Sequence, residues 1–336
     1  MNKFKYYFIL LITTVSLFSC SKDNNSNPEI IPPRDYAKQY ATELNDIEKY
    51  LKENYIEVTV DQDVTIKKIP AGGAQPSIWS YKDNASFPKL LNREVKLHNI
   101  VYKLYYLVLR EGVGESPTNV DEVFTTYRGE YLGNDVVNGI TNQTSTKFEE
   151  FIYEPQRANL FGYIRGWKEV FPQFKTGNSA LKDDGTVTYS DFGSGVMFIP
   201  SGLAYYNSAN ASIPAYSPLV FSFKLLGMQR LDHEFQNIGQ VAVPIPDGIM
   251  SFQEDLDGDG YMWTKAELPD GAINPDDTDK DGIPDFLDTD DDGDGISTRK
   301  EITDPSGKLY PFNLIPGCDG KATDPARIKR HLIKCN

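Results

Sequence analysis

Between Ser251 and Pro305 the chain carries 18 Asp and Glu against 4 Lys and Arg, which accounts for the entire net charge of −14 of this 336-residue protein. A stretch this acidic cannot close on itself by hydrophobic burial alone, because each carboxylate brought near its neighbours opposes compaction. It must stay solvated or be held together by cations. The rest of the chain is neutral in sum and long enough to bury a core of its own. The same charge balance excludes nucleic acid as a partner, since a phosphate backbone requires the opposite sign.

Within the acidic stretch the carboxylates are regularly spaced. Asp277, Asp279 and Asp281 alternate ahead of Gly282, with Asp285 and Asp288 following. Asp290, Asp292 and Asp294 alternate around Gly293, and Glu301 closes that set. Alternate carboxylates can meet one hard cation, the glycine permits a sharp turn, and the residue after it (Ile283 or Ile296) offers its backbone carbonyl. The first cassette resembles a thrombospondin type 3 calcium repeat and the second an EF-hand loop, so structural Ca2+ is the expected cofactor. Asp255, Asp257 and Asp259 open a third loop, but Glu267 falls one place later than the EF-hand pattern requires. Pro284 argues against flanking helices, so residues 251–305 are expected to form a loop-rich, calcium-stiffened spacer or stalk.

The chain opens with Lys3 and Lys5, an apolar run from Tyr6 to Phe18, and then Ser19-Cys20. This is the pattern of an export signal over residues 1–19, too short to span a bilayer comfortably. Its end resembles the lipobox of bacterial lipoproteins, which implies lipidation of Cys20 and attachment to a membrane. Residues 20–34 read as a polar tether. With Cys20 lipidated, only Cys318 and Cys335 remain, and in an oxidising compartment they are expected to form one disulfide in the tail, residues 306–336.

Tyr36, Tyr40, Leu44, Ile47 and Leu51 recur at three- and four-residue spacing and predict a packing helix over 35–55, inside a mixed segment 35–99. Residues 56–69 alternate as a strand. Further strands are predicted at 101–109, 121–129, 195–200 and 219–226, with one short helix from Trp167 to Phe174. Strands around one helix predict an α+β domain with an antiparallel sheet over 100–229, followed by a linker, 230–250.

Several segments of this domain, in order, resemble the pocket of the FKBP family of peptidyl-prolyl cis-trans isomerases. They are Tyr127-Arg128-Gly129, Ile164 and Trp167 in Tyr163-Ile164-Arg165-Gly166-Trp167, Tyr205 after Leu203-Ala204, Ile213-Pro214, and Phe221. The resemblance covers roughly Val101 to Met228. It implies an FKBP-like sheet wrapped around a short helix, with Trp167 flooring a proline pocket that Tyr127 and Phe221 line. The Tyr205 hydroxyl and the Ile164 N–H would orient the substrate carbonyls. The family's Phe-Asp pair has its nearest equivalent in Phe148-Glu149, after a polar insertion from Gly133 to Lys147; Val137-Asn138 is a second alignment. Tyr206 and Ala215 stand where the family has a glycine and a second proline, and Asp183–Asp191 looks like an inserted loop.

Prolyl isomerisation breaks no covalent bond. Its barrier of about 18–20 kcal/mol is the partial double bond of the amide, and a dry aromatic pocket favours the twisted amide over the more polar planar one. No cofactor is needed for catalysis, in keeping with a chain that has only His98, His233 and His331. The combination resembles lipoproteins of Gram-negative, Bacteroidetes-like bacteria. It implies a folding factor at the outer membrane, on its periplasmic or surface face, acting on X-Pro bonds of unfolded or newly exported envelope proteins. The competing reading is a non-catalytic envelope or surface adhesion lipoprotein that uses the same fold as a binding platform. Glu149, Tyr206 and Ala215 discriminate, according to whether they distort the pocket.

Overall fold

The computed structural model describes residues 32–209, 212–238 and 240–335; the expected export signal, Cys20 and most of the tether lie outside them. Helix α1 (Tyr36–Glu53) begins at Asp35, whose side chain accepts the Lys38 N–H at 3.0 Å and so satisfies one orphan donor of the first turn. Where one strand is predicted after it, the chain forms a hairpin, β1 (Asn54–Val58) and β2 (Val64–Lys68), reversing around Gln62 at φ 66°. Then come β3 (Lys89–Leu97), β4 (Ile100–Arg110), β5 (Glu122–Val137) and β6 (Ile140–Asn159). Helix α2 (Arg165–Val170) runs into a 3-10 turn, Phe171–Gln173. The expected loop Asp183–Asp191 is part of a small hairpin, β7 (Asn178–Leu181) and β8 (Val187–Ser190). Strands β9 (Gly193–Ile199) and β10 (Leu219–Gln229) complete the main sheet.

That sheet is antiparallel throughout, in the order β3-β4-β9-β10-β5-β6. Its central strands are buried on both faces, which is why they read as near-continuous apolar runs. One face carries Tyr102, Leu104, Met197, Ile199, Phe221 and Phe223, and packs with Trp167, Val170 and Phe171. The other carries Tyr105, Leu107, Val196, Phe198 and Val220, and packs with Ile47, Tyr50 and Leu51 of α1. The segment 35–99 is therefore part of the domain: it covers one face of the sheet and supplies β3. Strands β3 and β6, unpredicted, are the two edges. Their mixed, charged sequences are what an edge needs to avoid pairing with other chains, and they hide the alternation that announces a strand. The polar insertion Gly133–Lys147 is the far half of the β5–β6 hairpin, turned at Asn138-Gly139, both with positive φ.

The acidic segment is not a detached stalk. Residues Asp35–Asn336 form one compact unit. Val120, Met262 and Phe286 share an apolar cluster with Phe161, Phe252 and Leu287. Asn119 Nδ2 donates to the Met262 carbonyl at 2.8 Å, and its Oδ1 accepts the Met262 N–H at 3.0 Å. The expected linker 230–250 contains a hairpin, β11 (Phe235–Ile238)–β12 (Val241–Pro244), and the acidic segment holds single 3-10 turns and α3 (Thr298–Glu301). Cys318 and Cys335 are joined in the tail.

One buried charge connects α1 to the chain leading toward Tyr205. Glu43 accepts the Ser201 N–H at 2.7 Å and the Ser201 hydroxyl, at the start of the 3-10 turn Ser201–Leu203. Burial raises its carboxyl above the ordinary value, against the hydrogen bonds from Ser201 and Gln39. Glu43→Ala is expected to destabilise the protein by about 1–3 kcal/mol, the cost of an unpaired buried donor, in urea unfolding. A carboxyl raised in the native state contributes fully below the ordinary carboxylate range, and that contribution fades as pH rises through the raised value. The penalty for Glu43→Gln is therefore expected to shrink from acid to neutral pH; a penalty that grows would refute the burial account.

Candidate functional site

Tyr127 lies mid-way along β5, and Phe221 pairs two residues further along, opposite Gly129, on β10. Trp167 projects from α2 between them. The ring centroids of Tyr127 and Trp167 are 5.0 Å apart, those of Trp167 and Phe221 5.3 Å, and those of Tyr127 and Phe221 5.9 Å, all edge-on. Such pairs favour this T-shaped geometry because ring edges carry positive and ring faces negative charge. Glycine at two positions permits the box to close. A Cβ on Gly166 would lie 2.5 Å from Ile199, so α2 could not approach the sheet, and one on Gly129 would lie 2.5 Å from the Phe148 ring.

The alignment of Phe148-Glu149 with the box holds in space. The β5–β6 register slips between Gly129 and Glu130, so Phe148 is the extra residue of a bulge and Glu149 sits opposite Gly129. Phe148 meets Phe221 edge-on at 5.6 Å. Glu149 hydrogen-bonds the Tyr127 hydroxyl; burial raises its carboxyl, with that bond opposing. Burial, and then the Glu149 charge, also push the Tyr127 phenol up. Val137-Asn138 sits at the hairpin tip and takes no part. Ile164 caps α2: its carbonyl accepts from Trp167 at 3.0 Å and its own N–H stands outside the helical ladder. Ile213 is buried in the same core. Tyr205 is 42% exposed, with its phenol raised by burial and then by the Glu149 charge.

Tyr206 takes φ 48°, the left-handed conformation that glycine adopts without strain. Its ring stacks on Tyr36 of α1 at 4.1 Å and meets Tyr216 edge-on at 5.0 Å. This departure is held by aromatic packing.

Three rings of the site are not among the predicted residues: Phe171, which meets Trp167 edge-on at 5.1 Å, Phe151 and Tyr163. Phe151 meets Tyr127 at 5.4 Å. Tyr163, 39% exposed, stacks on Trp167 at 4.9 Å and 23°, leaving the indole only 1% exposed. The residue type at 163 was the available signal, since it puts a large ring directly before the helix that carries the indole.

The acidic cassettes fold as loops. Carboxylate oxygens of Asp255, Asp257 and Asp259 lie within 4.8 Å of one another, as do those of Asp277, Asp279 and Asp281, and of Asp290, Asp292 and Asp294. Asp281, Ile283, Asp294 and Ile296 donate N–H groups to the carboxylates two residues earlier, which braces each turn and leaves the other oxygens for a cation. In the last loop Asp290 Oδ1, Asp292 Oδ2 and Glu301 Oε2 are buried without a hydrogen-bond partner, a set that fits a hard cation. Burial raises the Asp288 carboxyl, and the nearby charges of Asp281 and Asp279 add to the rise. Asp285 gives both oxygens to Thr278. The first loop is different. Asp259 Oδ2 accepts the Trp263 indole N–H at 3.0 Å, and Glu267 turns away from the loop toward α2. Glu267 accepts from Lys168 at 3.0 Å and Tyr261 at 2.9 Å, and pairs with Arg165 at 3.0 Å. Burial opposes its ionisation, but Lys168 and Arg165 outweigh it and hold the carboxyl below its ordinary value.

Comparison with known proteins bears on both regions. A family model described as BamM C-terminal matches residues 246–325. A stretch of 127 residues is 30% identical to the FKBP-type peptidyl-prolyl cis-trans isomerase FkpA of Escherichia coli K12, and FkpA of E. coli O157:H7 matches equally. The match covers 38% of this chain and 38% of the relative, so the chain spans little more than a third of the relatives' length. The crystal structure of E. coli FkpA shares 23% identity, covering 58% of this chain and 61% of that one, with a TM-score of 0.31. A peptidyl-prolyl isomerase structure from Pseudomonas syringae pv. tomato shares 18%, covering 56% of this chain and 96% of that one, with a TM-score of 0.29. The sequence match supports an FKBP-like domain.

If Tyr163 covers the indole as described, Tyr163→Ala in a Trp79→Phe, Trp263→Phe background will shift Trp167 emission to the red and increase its quenching by acrylamide. It will also cost about 0.5–1.5 kcal/mol of stability, the worth of an aromatic pair. Unchanged quenching would show that Tyr163 is not the cover.

Proposed function

We propose that this protein is a peptidyl-prolyl cis-trans isomerase, acting on X-Pro bonds of unfolded or newly exported envelope proteins and anchored to the outer membrane through lipidated Cys20. The observation that carries the reading is the box of Tyr127, Trp167 and Phe221, with Glu149 bonded to the Tyr127 hydroxyl. A proline ring entering it exchanges water for aromatic walls, and loses the solvent that stabilises the planar amide's charge separation. The N–H of Ile164 would hold one substrate carbonyl and the hydroxyl of Tyr205 another, so that rotation about the amide occurs between fixed ends. Nothing in this step requires a metal or a nucleophile. In this reading calcium is structural, held by the carboxylates of the acidic loops, chiefly Asp277, Asp279, Asp281 and Asp288 in one and Asp290, Asp292, Asp294 and Glu301 in the other.

A second reading has its own observation in its favour. Tyr163 lies over the indole that a proline would need, which suits an envelope adhesion or binding protein that keeps the fold without useful turnover.

A protease-free isomerisation assay separates the two. The parent chain is expected to accelerate exchange. Tyr205→Phe is expected to lower kcat/KM roughly 2- to 12-fold, the equivalent of one hydrogen bond at about 0.5–1.5 kcal/mol. Trp167→Leu is expected to lower it on the order of 10- to 100-fold through lost burial of the proline ring. A well-folded parent with no acceleration, with or without calcium, would sink the enzyme reading and leave the binding one.

A further inference from the structure

Five carboxylates outside the expected loop ligands converge where the last strand of the main sheet gives way to the acidic region. Asp232 and Glu234 precede β11, Asp247 follows β12, and closure of that hairpin brings the three together. Glu254 ends the 3-10 turn Ser251–Gln253, and Asp291 lies between two ligands of the last loop. Oxygens of Asp232, Glu234 and Asp247 are within 4.8 Å of one another, and so are those of Asp247, Glu254 and Asp291. Glu234, Asp247, Glu254 and Asp291 are each at most 3% exposed.

The hydrogen bonds around these groups are one-sided. Asp232 Oδ2 accepts the Gly248 N–H at 3.0 Å, Glu234 Oε2 the Asp247 N–H at 3.2 Å, and Asp247 Oδ1 the Ile249 N–H at 2.6 Å. The opposite oxygens, Asp232 Oδ1, Glu234 Oε1 and Asp247 Oδ2, take no N–H or hydroxyl from the rest of the protein, the Asp232 and Glu234 carboxyls lying at hydrogen-bonding distance of each other, and neither oxygen of Glu254 has a partner. Among the described residues no Lys or Arg pairs with any of the five; Arg299 goes to the backbone carbonyls of Pro246 and Asp247 instead. An unpaired buried carboxylate costs several kcal/mol, and here four buried ones are gathered beside the half-buried Asp232. Calcium takes six to eight oxygens at about 2.3–2.6 Å, so opposite ligands stand about 4.6–5.2 Å apart. Oxygens within 4.8 Å of one another can share such a shell, and a cage built from protein carboxylates suits calcium better than magnesium, which keeps several of its waters.

We propose that Asp232, Glu234, Asp247, Glu254 and Asp291 form a buried calcium centre, separate from the three acidic loops, with Asp247 the ligand common to both triads. The centre ties the linker leaving β10 to the loop that holds Asp290, Asp292 and Asp294, and so fixes the acidic region against the sheet. It does not depend on the isomerase reading.

Native mass spectrometry of the full chain, with thermal unfolding in calcium and in EDTA, tests it on Glu254→Gln and on the loop variant Asp257→Asn. Glu254→Gln is expected to lose at least one bound calcium that Asp257→Asn retains. It should melt lower than the parent in calcium but higher than the parent in EDTA, where one repelling charge has been removed. An undiminished calcium count, with Glu254→Gln melting higher in both conditions, would identify a cluster of protonated acids and overturn the proposal. If Glu254→Gln does not fold, Asp232→Asn at the less buried edge must show the same pair of opposite shifts.

Discussion

The ion pairs around Glu267 set the position of nearly everything that matters for the proposed pocket. Helix α2 has only six residues, far too short to hold itself by backbone hydrogen bonds. All six are buried. On one side it presents Trp167 to the aromatic box. On another, Arg165 and Lys168 reach Glu267 of the acidic region, while Arg165 also bonds Glu169, which Arg93 approaches from β3 at 2.5 Å. Arg165 further lies over the Tyr261 ring at 4.3 Å. Removing one partner of so buried a set would leave charges uncompensated, at about 3–5 kcal/mol. The floor of the box is thus clamped between the sheet and the acidic region. Glu267, placed one residue too late to close a calcium loop, closes this joint instead.

How much of this could be read from the residues follows from how local each cause is. The central strands announce themselves because both of their faces are buried, and the N-cap of α1 sits where its spacing predicts. The edge strands β3 and β6 do not, since an edge is selected for charge. That the rings of Tyr127, Phe148, Trp167 and Phe221 would be neighbours was legible because their order along the chain resembles a family, and the bulge at Phe148 places that residue, rather than Val137-Asn138, beside them. The docking of the acidic region was hidden by composition. Its charge suggests a solvated stalk, while the few apolar residues that anchor it, Met262, Phe286 and Phe252, are too scattered to form a pattern. The buried carboxylate cluster was illegible for a similar reason: its members run from Asp232 to Asp291, and only the β11–β12 hairpin and the turn before Glu254 bring them together.

The departures from the family pattern change the pocket in one direction. Glu149 carries an extra methylene, yet its carboxylate still reaches the Tyr127 hydroxyl because the bulge sets where its strand lies. Tyr206 holds a left-handed backbone while stacking on Tyr36, a contact that the first turn of α1 supplies. Neither distorts the box. What they leave is a box whose floor is covered, by Tyr163 above the indole and by the edges of Tyr127, Phe171 and Phe221 around it.

A covered floor imposes a specific condition on any proline ligand. Entry requires Tyr163 to leave the indole, so the affinity observed equals the intrinsic affinity multiplied by the fraction of molecules already open. If the stack is worth about 0.5–1.5 kcal/mol, that fraction lies between roughly one in three and one in fourteen. Such a factor is modest against the burial of a proline ring, so under the proposed reading Tyr163 would be a cover that binding can displace, with the edge-on rings beneath it left in place.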